Sequence, residues 1–184
     1  MALTLIKEDG TGKVDANAYA DASDGDTYHD GHLYAGAWTA ATADRKAAAL
    51  IMATRLIDSQ YQFNGFKVTD GQGLQWPRLS CPDPDVNVVA VLWMYWRLNN
   101  CVESNVVPKA VIDATCEMAR ELLAADRTAA PVGEGLKYQN TGTSQTGYDK
   151  SDRRQIISPV AQAMLAKYGA LIKSTSGVVS LLRA

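Results

Sequence analysis

The residues with the greatest capacity for chemistry lie in one acidic segment, which contains both histidines of the chain. His29 and His32 are three positions apart, and Asp24, Asp26 and Asp30 lie beside them. Imidazole and carboxylate groups bind Zn²⁺ when three or four of them converge, but no third ligand here has a suitable spacing. The acidic positions do not match the calcium-loop pattern either. We therefore expect a solvated, turn-forming segment that binds no metal.

The rest of the chain lacks the motifs of nucleotide-binding and nucleophilic enzymes. The stretch Gly10–Lys13 has only part of the phosphate-loop pattern, because the first glycine is missing and Val14 follows the lysine in place of serine or threonine. No serine or cysteine stands in a nucleophile-elbow sequence. The sequence therefore predicts a protein that is not an enzyme and needs no cofactor.

Composition limits the class of partner. The chain has 184 residues, a formal net charge of −2 and 47% hydrophobic residues. These values favour one globular domain over a protein that binds chiefly by neutralising phosphates. Three cysteines without a C-x-x-C spacing favour a reduced intracellular environment. The longest apolar run, Val88–Trp96, is too short to span a bilayer, so no membrane partner is expected.

Hydrophobic periodicity predicts a mainly α protein built as a small helical bundle. Apolar residues recur at intervals of three and four over Thr42–Tyr61, which is the most strongly marked helix. Further helices are predicted from Asp15 to the glycine-rich stretch 25–31, from Pro108 to about Asp126, and from Ser158 to Tyr168.

Two segments have no clear helical period. Residues 83–105 begin with a proline-containing cap signal but are rich in valine and aromatic residues, so a helix and a β-hairpin both fit. Residues 130–152 are polar and rich in glycine, serine and threonine, which is typical of a long exposed loop or a β-hairpin.

The ingredients of single-stranded-DNA binding are present in two clusters. They are Lys150 with Arg153 and Arg154, and Trp93 with Tyr95, Trp96 and Arg97. Proteins that bind single strands place aromatic platforms beside a positive groove. However, the segment 88–98 is apolar on nearly every side, which favours packing in a core or a subunit interface over DNA binding.

A rigid loop follows the strongest helix. Pro77 fixes its own φ angle and pushes Trp76 towards an extended conformation, so the indole has little conformational freedom to lose. We interpret Trp76 and Leu74 as anchors of the loop to the core. Asp58, in the last turn of the helix, opposes the helix dipole and is a candidate partner for Arg78. The predicted role of these residues is structural.

Several short segments carry a resemblance to a known protein family. They are Tyr19–Ala22, Trp38, Lys46–Ile51, Ala53, Thr54, Leu56–Asp58, Phe63, Gly65, Gln72, Leu74, Trp76–Arg78, Val107, Pro108, Val111, Ala114, Thr115, Glu117, Ala119 and Leu122. In this respect the chain resembles the head–tail adaptor, or head completion, proteins of tailed bacteriophages. That family is also labelled DnaT-like single-stranded-DNA-binding proteins. Residues 83–105 look like an insertion relative to its usual pattern.

The resemblance implies a structural virion protein. Adaptor subunits are small, mainly helical, and form a ring, usually a dodecamer, beneath the portal protein. The ring extends the channel through which genomic DNA passes without specific binding, and it contacts a tail, neck or head-closure protein. The expected location is the head–tail junction of the virion, and the host cytoplasm during assembly. The other label implies a replication accessory that binds single-stranded DNA, but the net charge favours the adaptor.

A row of acidic residues is a candidate lumen face for such a ring. Asp113, Glu117 and Glu121 recur at four-residue spacing on one face of the Pro108 helix. A neutral-to-acidic wall would let DNA slide. An ordinary solvated helix face fits the same pattern equally well.

The last residues form a candidate docking element. We predict a single adaptor domain over residues 1–170 and a C-terminal docking tail over residues 171–184. The portal protein is the main candidate for the protein on which this tail docks. The tail is too apolar for a free terminus, and its candidate docking residues are Ile172, Val178, Val179, Leu181, Leu182 and Arg183. The alternative is that the tail covers the core of its own subunit.

Overall fold

The computed structural model describes residues 3–83, 85, 101–129, 138–141, 144–147 and 155–172. These residues form five helices: α1 (Ala22–Asp30), α2 (Gly36–Thr39), α3 (Ala43–Gln60), α4 (Lys109–Ala124) and α5 (Pro159–Leu165). They also form short strands: β1 (Tyr61–Phe63), β2 (Phe66–Lys67), β3 (Arg78–Leu79), β4 (Tyr138–Thr141), β5 (Ser144–Gly147) and β6 (Gly169–Leu171). The prediction of a mainly α protein therefore holds only in part.

The core lies between α3 and α4, with α5, α1 and α2 packed against α4. Helix α3 begins where the sequence predicts, because the Thr42 hydroxyl accepts a hydrogen bond from the Arg45 N–H at 3.4 Å. Its residues Leu50, Ala53 and Ile57 recur at helical spacing and are fully buried. The prediction of this helix is confirmed.

The first helix begins later than Asp15, so that predicted start is wrong. Asp21 and Asp24 form a capping box, in which each carboxylate accepts from the other's N–H, at 3.0 and 2.8 Å. The residues before the box are extended, since Glu8 N–H donates to Ala18 O at 2.9 Å in a parallel bridge. The capping box at Asp21 satisfies more of the free N–H groups at a helix start than a lone aspartate such as Asp15 would.

The short helix α2, which the sequence did not predict, buries Trp38 beneath α1. A Cβ atom at Gly25 would lie 2.2 Å from the Trp38 ring, so glycine is required for this close approach. The indole Nε1 donates to Asp26 at 2.8 Å. The acidic segment of α1 therefore packs on an aromatic core residue.

The chain returns to the end of α3 after α5. Strand β6 pairs antiparallel with β1, with Leu171 opposite Tyr61. The Ile172 N–H then donates to Gln60 O at 2.7 Å. Paired backbone therefore extends to Ile172, slightly beyond the predicted domain boundary at residue 170.

The two ambiguous segments are described only in part. Strands β4 and β5 pair antiparallel, from Tyr138 opposite Gly147 to Thr141 opposite Ser144, so a β-hairpin occurs within residues 130–152. The choice between helix and hairpin over 83–105 falls mostly outside the described residues. The chain just before that segment lies beside its C-terminal part, because Val102 N–H donates to Cys81 O at 2.9 Å. No helix among the described residues is long and apolar enough to cross a membrane.

Candidate functional site

The loop that contains Trp76 lies against the C-terminal end of α3. Trp76 is fully buried, and its ring meets those of Phe63 and Tyr168 edge-on, at centroid distances of 5.7 and 5.9 Å. Leu74 is also buried, and the Trp76–Pro77 peptide bond is cis. These positions are what an anchoring role for the loop requires.

Arg78 holds the loop through backbone carbonyl groups, so the predicted ion pair with Asp58 is wrong. Its Nε donates to Asn64 O at 2.7 Å, and its Nη2 donates to Gly65 O at 2.7 Å and Phe63 O at 3.3 Å. Its Nη1 donates to the backbone and side-chain oxygens of Gln75, both at 3.0 Å. The five donors of a guanidinium fit this set, and a carboxylate is not needed. Burial lowers the pKa of the Arg78 guanidinium.

Asp58 has a different set of partners. Its carboxylate accepts from the Tyr19 hydroxyl and from the Gln75 N–H at 3.0 Å. The Tyr19 oxygen in turn accepts from the N–H groups of Gln75 and Trp76, at 3.0 and 3.2 Å. Burial raises the pKa of Asp58 to about 6, and it raises the pKa of Tyr19 together with the neighbouring Asp58 charge. The network joins α3, the loop and the chain before α1.

Gln72 lies inside the loop and forms hydrogen bonds to its backbone, a role that its position in the sequence did not predict. It is buried, and its Oε1 accepts from the N–H groups of Val68 and Thr69 at 2.9 and 3.1 Å. Its Nε2 donates to Leu74 O and Pro77 O at 2.9 and 3.1 Å. A glutamine in a glycine-rich loop is a weak signal of such a role, because the carbonyl groups that it meets are not visible in the sequence.

The pKa of Asp58 predicts a pH-dependent stability. Its value of about 6 in the folded chain lies above the ordinary 3.8, so between those pH values the folded state binds more protons than the unfolded state. The contribution of this carboxyl to stability is therefore greatest at low pH and falls as the pH rises through 6. Relative to that of the Asp58→Asn variant, the free energy of unfolding of the unmodified chain should fall by about 2–3 kcal/mol between about pH 4 and pH 7.

Urea denaturation of both proteins at several pH values measures this difference. The contributions of the other carboxylates to the free energy of unfolding are the same in both proteins and cancel. The control is Asp70→Asn, which removes an exposed carboxylate of the same loop and should follow the unmodified chain. Parallel pH curves for the unmodified chain and Asp58→Asn would show that the Asp58 carboxyl is not perturbed.

Glu117, a candidate lumen residue, lies inside the chain and not on an open face. Only 1% of it is exposed, because α1 and the loop after it cover this side of α4. Its Oε1 pairs with Arg120 Nη2 at 2.5 Å, and its Oε2 lies 3.5 Å from the Tyr28 hydroxyl and 3.6 Å from His32 Nε2. The periodicity of α4 could not show this, since it does not reveal which neighbour covers a polar residue.

The other two candidate lumen residues are partly buried and paired. Asp113 pairs with Lys109 at 2.6 Å, and Glu121 pairs with Arg120 at 2.7 Å and with Arg127 at 3.0 Å. The acidic row is therefore broken at its centre by a buried residue. A role of Asp113 and Glu121 in a lumen stays a prediction.

The histidines serve packing and loop geometry. His29 is buried with its Nε2 3.3 Å from Cys116 O and its ring 4.9 Å from the Trp38 ring, and burial lowers its pKa. His32 Nδ1 accepts from the Tyr34 N–H at 3.0 Å. Within the part of the chain that the structure describes, no three histidine, cysteine or acidic side chains converge as a metal site.

Several residues that the sequence offers as binding candidates lie outside the described residues. These are the basic cluster at 150–154, the aromatic cluster at 93–97, and five docking residues of the tail, namely Val178, Val179, Leu181, Leu182 and Arg183. Ile172, the first docking residue, is described and is about half exposed.

The described cations are mostly neutralised by carboxylates of the same chain. Seven of the eleven described lysines and arginines form ion pairs: Lys7, Lys13, Lys46, Lys109, Arg120, Arg127 and Lys167. Arg78 is enclosed by carbonyl groups, and Lys67 Nζ donates to Gln72 O at 3.4 Å. Arg45 and Arg55 form no ion pair with any described residue.

Comparison with known proteins identifies the family. Residues 3–184 match the model of a family described as "Putative DnaT-like ssDNA binding protein". Searches of the curated proteins and of the solved structures found no match. Because the family match covers nearly the whole length of the sequence, the chain belongs to this DnaT-like family.

Proposed function

We propose that this chain is a structural head–tail adaptor of a tailed bacteriophage. In this proposal, subunits form a ring, expected to be a dodecamer, beneath the portal protein. The ring extends the DNA channel and joins the head to a tail, neck or head-closure protein, without catalysis. The tail predicted over residues 171–184, whose first two residues pair with the end of α3 and β1, serves as the element that docks on the portal. The protein would act at the head–tail junction of the virion after assembly in the host cytoplasm.

The arrangement of charge is the observation that carries this proposal. Affinity for single-stranded DNA rests on cations that are free to contact phosphates, and it falls steeply with salt. Here seven of the eleven described cations already face a carboxylate of the same chain. Such a surface attracts DNA weakly, which suits a conduit through which DNA must slide.

Exposed apolar side chains are a second observation that supports the proposed assembly into a ring. Leu33 is 93% exposed, Tyr34 is 77% exposed and Phe66 is 72% exposed. Phe66 also lies opposite Leu79 across the β2–β3 pair, and both side chains are exposed. Large apolar groups at several surface positions are typical of a protein that buries them against partners.

Single-stranded-DNA binding, as a replication accessory, is the second candidate. The family description names that function, and it supports this candidate more directly than it supports the adaptor. The basic cluster at 150–154 and the aromatic cluster at 93–97 supply suitable residue types. Both clusters lie outside the described residues, so the candidate rests on sequence and family alone.

Fluorescence anisotropy with a labelled oligothymidine distinguishes the two candidates. At about 150 mM salt, the adaptor proposal predicts a dissociation constant no tighter than about 10 μM, within the range of non-specific binding. The triple variant Lys150→Ala, Arg153→Ala, Arg154→Ala should then weaken this binding no more than the removal of three non-specific phosphate contacts accounts for. Sub-micromolar binding that this variant, or Trp93→Ala with Trp96→Ala, abolishes would establish the second candidate.

A further inference from the structure

The outward face of α3 carries a shallow apolar groove that the rest of the described chain leaves open. Its volume is about 450 Å³, and its lining residues are Leu3, Ala48, Ile51, Met52, Arg55 and Leu56. Leu3 and Met52 are exposed although both are large apolar side chains. An uncovered groove of this composition is suited to one or two apolar side chains of a partner.

Positive charge flanks this groove. Arg45 and Arg55 lie on the same exposed face of α3, about 15 Å apart along the helix, with Met52 between them. Neither arginine forms an ion pair with a described residue. A complementary partner therefore presents apolar side chains together with a carboxylate.

The loop between α1 and α2 has this composition. Leu33 and Tyr34 are the most exposed large apolar residues of the described chain, and the exposed Asp30 precedes them without an ion pair to any described residue. The loop is held in place, because His32 Nδ1 accepts from the Tyr34 N–H at 3.0 Å and His32 Nε2 lies 3.6 Å from Glu117. A loop that is already held in one conformation loses little conformational entropy on binding.

The groove and the loop lie on different sides of the subunit. Helix α3 directs Leu50, Ala53 and Ile57 towards the core it shares with α4, so its groove faces away from α4. The loop is attached to α4 through His32 and Glu117. Two complementary surfaces on different sides of one subunit produce a head-to-tail contact, and such contacts form a ring when the rotation closes.

We propose that the α3 groove receives the Leu33–Tyr34 loop of a second copy of this chain, with Asp30 of that copy beside Arg45 or Arg55. Each subunit then offers its loop to one neighbour and its groove to the other. The proposal rests on the ring assembly proposed above and names the contact that builds it.

A complementation experiment tests this contact. Met52→Asp damages only the groove and Leu33→Asp damages only the loop, so each variant alone should remain a monomer. An equimolar mixture retains one intact loop and one intact groove, so it should form a dimer with one copy of each variant and nothing larger. Light scattering after size-exclusion chromatography gives these masses, with and without the portal protein. Val160→Asp, at an exposed position of α5 outside the contact, should assemble like the unmodified chain.

The outcomes separate this inference from the proposed function. If the unmodified chain assembles and both variants assemble equally well, the loop–groove contact is wrong and the ring stands. If the unmodified chain stays monomeric alone and with the portal protein, the ring and the contact both fail. Equal melting temperatures for the variants and the unmodified chain, measured at a dilution at which all of them are monomers, show that assembly and not folding was changed.

Discussion

Replacing Trp76 by alanine should lower the free energy of unfolding by about 3–5 kcal/mol, the range for truncating a buried tryptophan. The indole is fully buried between the rings of Phe63 and Tyr168, so its removal leaves a cavity where the loop meets the end of α3. The loss of its ring contacts and the cavity both destabilise the folded state.

Urea denaturation measures this change. Phe66→Ala is the matched control, because Phe66 is an aromatic residue of the same region that is largely exposed, and its change should stay within about 0.5 kcal/mol in the monomer. A change equally small for Trp76→Ala would mean that the tryptophan is not an anchor but a residue available to a partner.

Replacing Arg78 by lysine should cost about 2–4 kcal/mol, although the positive charge is kept. The guanidinium reaches the carbonyl oxygens of Asn64, Gly65, Phe63 and Gln75 from fixed directions. A lysine ammonium has three donors on one atom and leaves several of these buried oxygens without a partner. The loop should then loosen, and hydrogen exchange of the Gln75 and Trp76 amides should accelerate.

Arg55→Lys is the control for this second substitution. Arg55 is exposed and forms no ion pair with a described residue, so its replacement should change the free energy of unfolding by less than about 0.5 kcal/mol. If Arg78→Lys is as stable as Arg55→Lys, the carbonyl contacts do not hold the loop.

The helical core was the most predictable part of the fold. A stripe such as Leu50, Ala53 and Ile57 has a period that only a helix buries on one side, so α3 follows from local pattern alone. The start of α1 was less predictable, because Asp15 and Asp21 are both plausible caps. The choice depended on Asp24, whose carboxylate completes the capping box.

The contacts of the candidate site depended on information that the sequence does not contain. Asp58 and Arg78 have opposite charges, yet each finds its partners among hydroxyl, amide and carbonyl groups brought together by the turn of the loop. Glu117 belongs to a polar stripe, yet α1 covers it. Charge and period predict which groups need partners, and the fold decides which partners they meet.

The residues that carry the family resemblance are mostly buried. Tyr19, Trp38, Gln72, Trp76 and Arg78 pack or hydrogen-bond inside the chain. The resemblance therefore concerns how the chain folds more than what its surface binds. For this reason the surface charge and the exposed apolar residues, and not the shared motif, support the adaptor proposal.

The most direct test of that proposal is negative-stain electron microscopy of the purified chain mixed with a portal protein encoded in the same genome. We expect a ring coaxial with the portal, of matching symmetry, and loss of this complex when residues 176–184 are deleted from a chain that still melts at the same temperature. A chain that forms no complex with the portal but coats single-stranded DNA at physiological salt would contradict the proposal.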